Sequence, residues 1–180
     1  SHILSSARGA ALALTLALSG AAQAQTFTGT FSFAGTAGSN NTMAYNGTAI
    51  TGITVGSLSK VGVLNSGSTG NSRATNWPTG AVNGSDTFTG SVDSSKYFEF
   101  TITADAGKRI NFPSLSFGVG RSATGPRQWQ WRSSIDNYAA AMPVTTIGTN
   151  LTHSSGVLTQ TDASTSTTGN AITTSGASYS

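Results

Sequence analysis

Apolar and polar residues alternate with a period of two along several stretches of this chain, the pattern of strands that turn one face inward. Phe27, Gly29, Phe31 and Phe33 fall on one side and Thr26, Thr28, Thr30 and Ser32 on the other, which predicts a half-buried strand over 26–33. Phe98, Phe100 and Ile102 alternate with Tyr97, Glu99, Thr101 and Thr103. The turn residues Asp105-Ala106-Gly107-Lys108 follow, so this strand is expected to fold back on its successor as the clearest hairpin of the chain. Ile110 and Phe112 keep one phase, whereas Leu115, Phe117 and Val119 take the opposite one. Pro113, which has no N–H for a ladder, marks a predicted bulge or kink between them. Trp129 and Trp131 alternate with Gln128, Gln130 and Arg132 in a further strand, which ends at Asp136-Asn137 because Asn tolerates positive φ.

Fainter strand patterns cover 49–55, 58–64, 87–90 and 157–161. After residue 24 no stretch carries a helical stripe, although 136–142 has room for one turn. Strands about ten residues apart with turn chemistry between them predict an all-β, antiparallel β-sandwich of jelly-roll type. The segments 35–42 and 66–80 read as Gly/Ser/Asn-rich loops, and 162–180 as a Ser/Thr-rich low-complexity end with too little apolar surface to offset its ordering entropy. That end is expected to be poorly ordered, or to be a strand pair lacking its partner.

Composition sharpens this picture. Ser and Thr occupy 55 of 180 positions and Gly 22, while only 15 residues are charged, which excludes a charge-laced helical bundle and a polybasic nucleic-acid arm. Cys is absent, so neither a disulfide framework nor a thiolate metal site exists. The net charge of +3 arises from few and scattered charges. Residues 1–24 have the layout of a secretory signal-peptide helix: Arg8, an apolar run from Ala10 to Leu18, and Ala22-Gln23-Ala24 as an A-x-A cleavage site before Gln25. Domain organisation is then signal 1–24, sandwich 25–161 and low-complexity end 162–180. The nine-residue apolar run is short of the roughly 20 residues that span a bilayer, so no membrane span is expected in the mature chain. In the 156 residues that remain, Leu, Ile, Val and Phe number 28, which implies a thin core between hydroxyl-covered faces. The absence of an initiating Met and of an anchoring tail is expected of a fragment.

Candidate chemistry is sparse. The mature chain has one His, His153, in a polar stretch, and carboxylates only at Asp86, Asp93, Glu99, Asp105, Asp136 and Asp162. No nucleophile elbow and no D-x-[DN]-x-[DN]-G calcium loop is present, so the reading is non-enzymatic, with no cofactor and no metal. The sequons at Asn40, Asn46, Asn83 and Asn150 follow from the abundance of Asn, Ser and Thr. Aromatics are the better lead, because exposed Trp or Tyr faces stack on sugar rings. Trp77 in the Asn76-Trp77-Pro78 loop, Tyr97 and Tyr138 are the candidate ligand-binding residues, whereas Trp129 and Trp131 read as core. Arg121, Arg127 and Arg132 bracket the Trp strand. Arg121 and Arg132, with Asp136, are expected to tie loops, since the guanidinium fork suits backbone carbonyls.

Residues Tyr97-Phe98-Glu99-Phe100-Thr101-Ile102, Ala106-Gly107, Ser114-Leu115-Ser116-Phe117, Arg121-Ser122, Thr124-Gly125-Pro126 and Trp131-Arg132-Ser133-Ser134-Ile135-Asp136-Asn137-Tyr138 together resemble secreted bacterial PEP-CTERM (exosortase-sorted) and choice-of-anchor proteins. The resemblance covers about 42 residues; similar strand-turn patterns occur in galactose-binding-like jelly rolls. It implies an extracellular β-sandwich of the cell envelope or biofilm matrix. Asn137 stands where such proteins commonly have Gly, and the Pro-Glu-Pro sorting tail is not in these residues. The functional expectation is a secreted, non-enzymatic surface or matrix protein whose partners are polysaccharide or other envelope components; the alternative is a carbohydrate-binding module built on exposed aromatics.

Overall fold

The computed structural model describes residues 26–35, 40–67, 70–77, 92–111, 114–122, 125–146, 151–160, 167–173 and 178–179. The proposed signal peptide and the strand expected at 87–90 lie outside them. Every ladder among the described residues is antiparallel, no α-helix occurs there, and the one helical turn is a 3-10 turn at Ser134–Asp136. Among the described residues no helix is long and apolar enough to cross a membrane.

The first body of sheet is built from β1 (Thr42–Met43), β2 (Ile53–Val55), β3 (Leu58–Val61), β6 (Tyr97–Glu99) and β7 (Ile102–Ala104). Exposure alternates without interruption from Tyr97 to Ala104, so β6 and β7 share one phase. They run against β3 and β2 respectively, with Val61 opposite Tyr97 and Val55 opposite Ile102. The register moves by one residue between Val55↔Ile102 and Ser59↔Glu99, the offset of a β-bulge. Gly56 sits at that offset, its N–H donating to Thr101 O at 2.8 Å, and a Cβ there would strike the Thr101 hydroxyl. A short pair of strands, β4 (Leu64–Asn65) and β5 (Ala74–Thr75), follows, so the loop expected over 66–80 is closed by strand pairing at 64–65 and 74–75.

The hairpin expected around Asp105-Lys108 does not form. The turn is present, with Lys108 N–H donating to Asp105 O at 2.9 Å, but β7 pairs with β2, and β8 (Ile110–Asn111) pairs with β15 (Ser178–Tyr179). Asp105 N–H reaches back to Gly52 O at 3.0 Å, extending the β2 ladder instead. Period-two alternation determines which face a strand buries but carries no information on its neighbour.

β9 (Ser114–Val119) takes the phase read from the sequence, with Leu115, Phe117 and Val119 half-buried and Gly118 exposed. The change of phase after Ile110 coincides with a two-residue slip of register between Thr173↔Ser114 and Ser178↔Asn111. β14 (Thr167–Thr173) lies between β9 and β11 (Val144–Thr146). The Ser/Thr-rich end therefore supplies a central strand where poor order or an unpartnered strand pair was expected. Ladder hydrogen bonds are made by the backbone, which a hydroxyl-rich sequence carries as well as any other.

A third sheet has the order β10 (Gln128–Gln130), β13 (Val157–Gln160), β12 (Leu151–Ser154). Trp129 stands opposite Leu158, and Leu151 opposite Gln160, so these four share a face. Leu151, Leu158, Gln160 and Arg127 are buried, with Met43 and Ile110 buried elsewhere. Phe117 of β9 meets Trp131, just past β10, at a ring separation of 5.1 Å, which joins the second sheet to the third.

The segment 26–33 departs from expectation differently. Phe27, Phe31 and Phe33 are half-buried and the Thr and Ser positions between them exposed, but no ladder includes these residues. Phe31 instead packs edge-on against Tyr45 at 5.3 Å and Phe100 at 5.6 Å. The side-chain amide of Asn46 takes the place of a neighbouring strand: it accepts from Ser32 N–H at 2.9 Å and donates to Ser32 O at 2.7 Å.

Candidate functional site

The three aromatics singled out in the sequence occupy two places. Trp77 follows β5 and is half-buried, its ring tilted on Phe98 of β6 at 5.5 Å. Its indole N–H donates to Ala74 O at 2.8 Å, and the ammonium of Lys96 donates to Asn76 O. Tyr97 follows in β6 with 40% of its surface exposed, while Phe98 beside it is half-buried. Successive strand residues face opposite sides, so Trp77 packs on one face of β6 and Tyr97 projects from the other. These two do not form a single stacking platform. Trp129 and Trp131 are half-buried as well, so none of the three indoles is fully presented.

Tyr138 belongs to a separate loop that runs from Arg132 to Met142 and is defined by its own hydrogen bonds. Ser133 caps the 3-10 turn, its hydroxyl accepting from Ile135 N–H at 3.3 Å. Asn137 then adopts φ 56° and Tyr138 φ 60°, two consecutive residues in the left-handed region that side chains other than Asn, Asp and Gly disfavour. The strain is held by several contacts at once. Tyr138 N–H donates to Ser133 O at 2.9 Å, Asn137 N–H to Ser134 O at 3.1 Å, and Met142 N–H to Trp131 O at 2.8 Å. Asp136 accepts from Ala140 N–H at 3.0 Å. Arg132 completes the closure: Nη1 reaches Tyr138 O at 2.5 Å and Ala139 O at 3.4 Å, and Nε reaches Gln130 Oε1 at 2.9 Å. The product is a fixed loop with Tyr138 54% and Ile135 50% exposed. The exposure of Ile135 and the left-handed Tyr138 were not read from the sequence, because neither depends on the residue's own type.

Arg121 lies at the end of β9, buried, and donates from Nε to Gln160 O at 3.1 Å and from Nη1 to Ser122 O at 3.3 Å. Arg127 and Gln160 are also buried, and Gln160 N–H donates to Arg127 O at 2.8 Å. Burial of a guanidinium requires many polar neighbours, and the sequence signal that would have located it, the pairing of 127 with 160, is visible only in the fold.

His153 is exposed in β12, although it pairs opposite Leu158 on the face that Leu151 buries. Glu99, Asp105 and Asp136 are exposed on separate elements, and among the described residues no three His, Asp or Glu side chains group as metal ligands do. Asp93 is engaged locally: its carboxylate accepts from Ser95 Oγ at 2.6 Å and Ser95 N–H at 3.0 Å, and these bonds, with the nearby charge of Lys96, hold its pKa below the ordinary 3.8. Burial pushes the Lys60 ammonium down while it donates to Asn65 Oδ1 at 2.5 Å. Comparison of the chain with protein-family models, with curated proteins and with solved structures finds no match.

Proposed function

We propose that this chain is a secreted, non-enzymatic protein of the bacterial cell surface or extracellular matrix, a β-sandwich of jelly-roll type whose few charged side chains serve its own architecture. The observation that carries the reading is the use made of Arg121 and Arg132: each donates its guanidinium to backbone carbonyls that close the chain on itself. The contact of Phe117 with Trp131 between two antiparallel sheets supports a layered sandwich. The n-region, apolar run and A-x-A site of residues 1–24 support export, and the resemblance of Tyr97 to Tyr138 to exosortase-sorted proteins supports an envelope location. Expression of the full chain in a bacterial host tests the export reading. Mature protein beginning at Gln25 outside the cytoplasm is the expected result, and retention of residues 1–24 in a cytoplasmic product overturns it.

Carbohydrate binding is the second reading, favoured by the exposure of Tyr138 on a loop that its neighbours hold rigid. A preset aromatic face loses little entropy on contact with a pyranose ring, and Arg132 and Asn137 of the same loop, with Gln130 at the end of β10 bonded to Arg132, supply hydrogen-bonding groups for hydroxyls. Binding to a panel of neutral polysaccharides that is lost in Tyr138→Ala, and kept in Trp77→Phe, is the expected result. Absence of binding by the unmodified chain overturns it.

A further inference from the structure

Asn46 is followed by Gly47, one of two Asn-Gly pairs in the chain, the other being Asn83-Gly84. In such a pair the next peptide nitrogen reaches the side-chain amide carbon with no side chain to shield it, which makes the asparagine prone to self-cyclisation. The fold requires both residues here. Asn46 offers one acceptor and one donor to the backbone of Ser32, at 2.9 and 2.7 Å, a pair that Asp, lacking the donor, cannot supply. Gly47 is confined by its surroundings: a Cβ would lie 2.6 Å from Thr30 O and would overlap the Tyr45 hydroxyl, which is itself held by Thr48 O at 3.1 Å. A labile dipeptide therefore sits where neither member can be exchanged for a stable one.

The same contact is the hydrogen-bonded tie of 26–33 to the rest of the fold. Among the described residues, Asn46 makes the only hydrogen bonds from the rest of the fold to that segment's backbone, and ring packing of Phe31 on Tyr45 and Phe100 adds to the attachment.

We propose that Asn46-Gly47 is a self-modification site guarded by Ser32, and that its deamidation releases the segment 26–33 from the body of the protein. The Gly47 nitrogen attacks Asn46 Cγ, the new N–C bond closes a five-membered succinimide, and the side-chain nitrogen leaves as ammonia. Water then opens the ring at either carbonyl, giving aspartate or isoaspartate, so that amide plus water becomes acid plus ammonia with no change in oxidation state. While both amide atoms are bonded to Ser32 the carbon is held away from this attack. Reaction requires the segment to open, and its product prevents reclosure: the carboxylate has no N–H for Ser32 O and sets oxygen against oxygen, and isoaspartate lengthens the backbone at the slot that admits only Gly47. The segment thus passes once, irreversibly, from docked to free.

The test is peptide mapping by mass spectrometry of the full chain, folded and denatured, held in the same mildly alkaline buffer. Conversion at Asn46 is expected to be at least about tenfold slower in the folded chain, equivalent to an opening free energy of about 1.4 kcal/mol. Ser32→Pro, which removes the N–H bonded to Asn46, is expected to raise the folded-state rate toward the denatured one while leaving the rate at Asn83 unchanged. Should that variant fail to fold, Phe31→Ala loosens the same segment through its ring contacts and carries the same expectation. Asn46→Asp is expected to make the bonds after Phe27, Phe31 and Phe33 the first cut by chymotrypsin. Equal rates in folded and denatured chains, no conversion in the denatured chain, no acceleration on loosening, or unchanged proteolysis of Asn46→Asp each overturn the proposal.

Discussion

Arg121 Nε donates to the carbonyl of Gln160 at 3.1 Å across 39 residues of sequence, and both residues are buried. The bond joins the end of β9 to the end of β13, so it ties two sheets that share no ladder. A hydrogen bond from a charged donor contributes about 1.5–3 kcal/mol, and Arg121→Ala is expected to lower unfolding free energy by about that amount in a urea titration. Arg121→Lys should recover only part of it, since an ammonium lacks the fork that serves Gln160 O and Ser122 O together. A variant as stable as the parent would remove the tie from the account of the fold.

Trp131 provides a sharper contrast within one side chain. Its ring packs on Phe117 at 5.1 Å, while its indole Nε1 is buried without a hydrogen-bond partner among the described residues. Trp131→Ala removes the ring contact and, because the side chain is half-buried, is expected to cost less than the roughly 3–5 kcal/mol of a fully buried aromatic, about 2–3 kcal/mol. Trp131→Phe keeps much of the contact and deletes an unsatisfied donor whose burial costs about 1–3 kcal/mol, so its loss of stability should be far smaller. Similar losses for the two variants in chemical denaturation would contradict this.

The left-handed pair Asn137-Tyr138 predicts a dependence on backbone freedom. A residue other than Gly or Asn in this region costs about 1–2 kcal/mol. Asn137→Ala is therefore expected to destabilise the protein by about 1 kcal/mol, whereas Asn137→Gly should leave the melting temperature near that of the parent. Equal effects of Ala and Gly would mean that the 3-10 turn relaxes freely at its end.

The carboxylate of Asp93 predicts a pH dependence. Its two bonds from Ser95 favour the ionised form in the folded chain and hold its pKa below 3.8. A depressed folded-state pKa stabilises the fold above the unfolded value, and that contribution is lost as pH falls through the folded one. Ser95→Ala removes the larger of the causes, so a carboxyl NMR titration should find the Asp93 midpoint moved upward toward 3.8. An unmoved midpoint would assign the shift to Lys96 instead.

Faces were more legible than partners. The alternation from Tyr97 to Thr103, the phase of Leu115, Phe117 and Val119, and the turn at Asn137 were readable because each depends on residues adjacent in the chain. The same alternation at 26–33 suggested a strand, yet the docking there runs through rings and the Asn46 amide, a contact 14 residues away. The low hydrophobicity of 162–180 pointed to weak order, whereas β9 and β11 accept Thr167–Thr173 as a central strand. Among the candidate aromatics, sequence placed Tyr97 and Tyr138 on outward positions, but only the tertiary fold separates them from Trp77, which packs on Phe98.

The amino-acid sequence alone determined that the described residues are nearly all-β, that the chain is sparsely charged and free of Cys, and which side of several strands turns inward, because composition and period-two patterning act within a few residues. Tertiary structure decided that β7 leaves β8 for β2, that Arg121 reaches Gln160, and that Asn46 latches Ser32. Those choices depend on which distant backbone donors and acceptors meet, and no local pattern of side chains encodes such pairings.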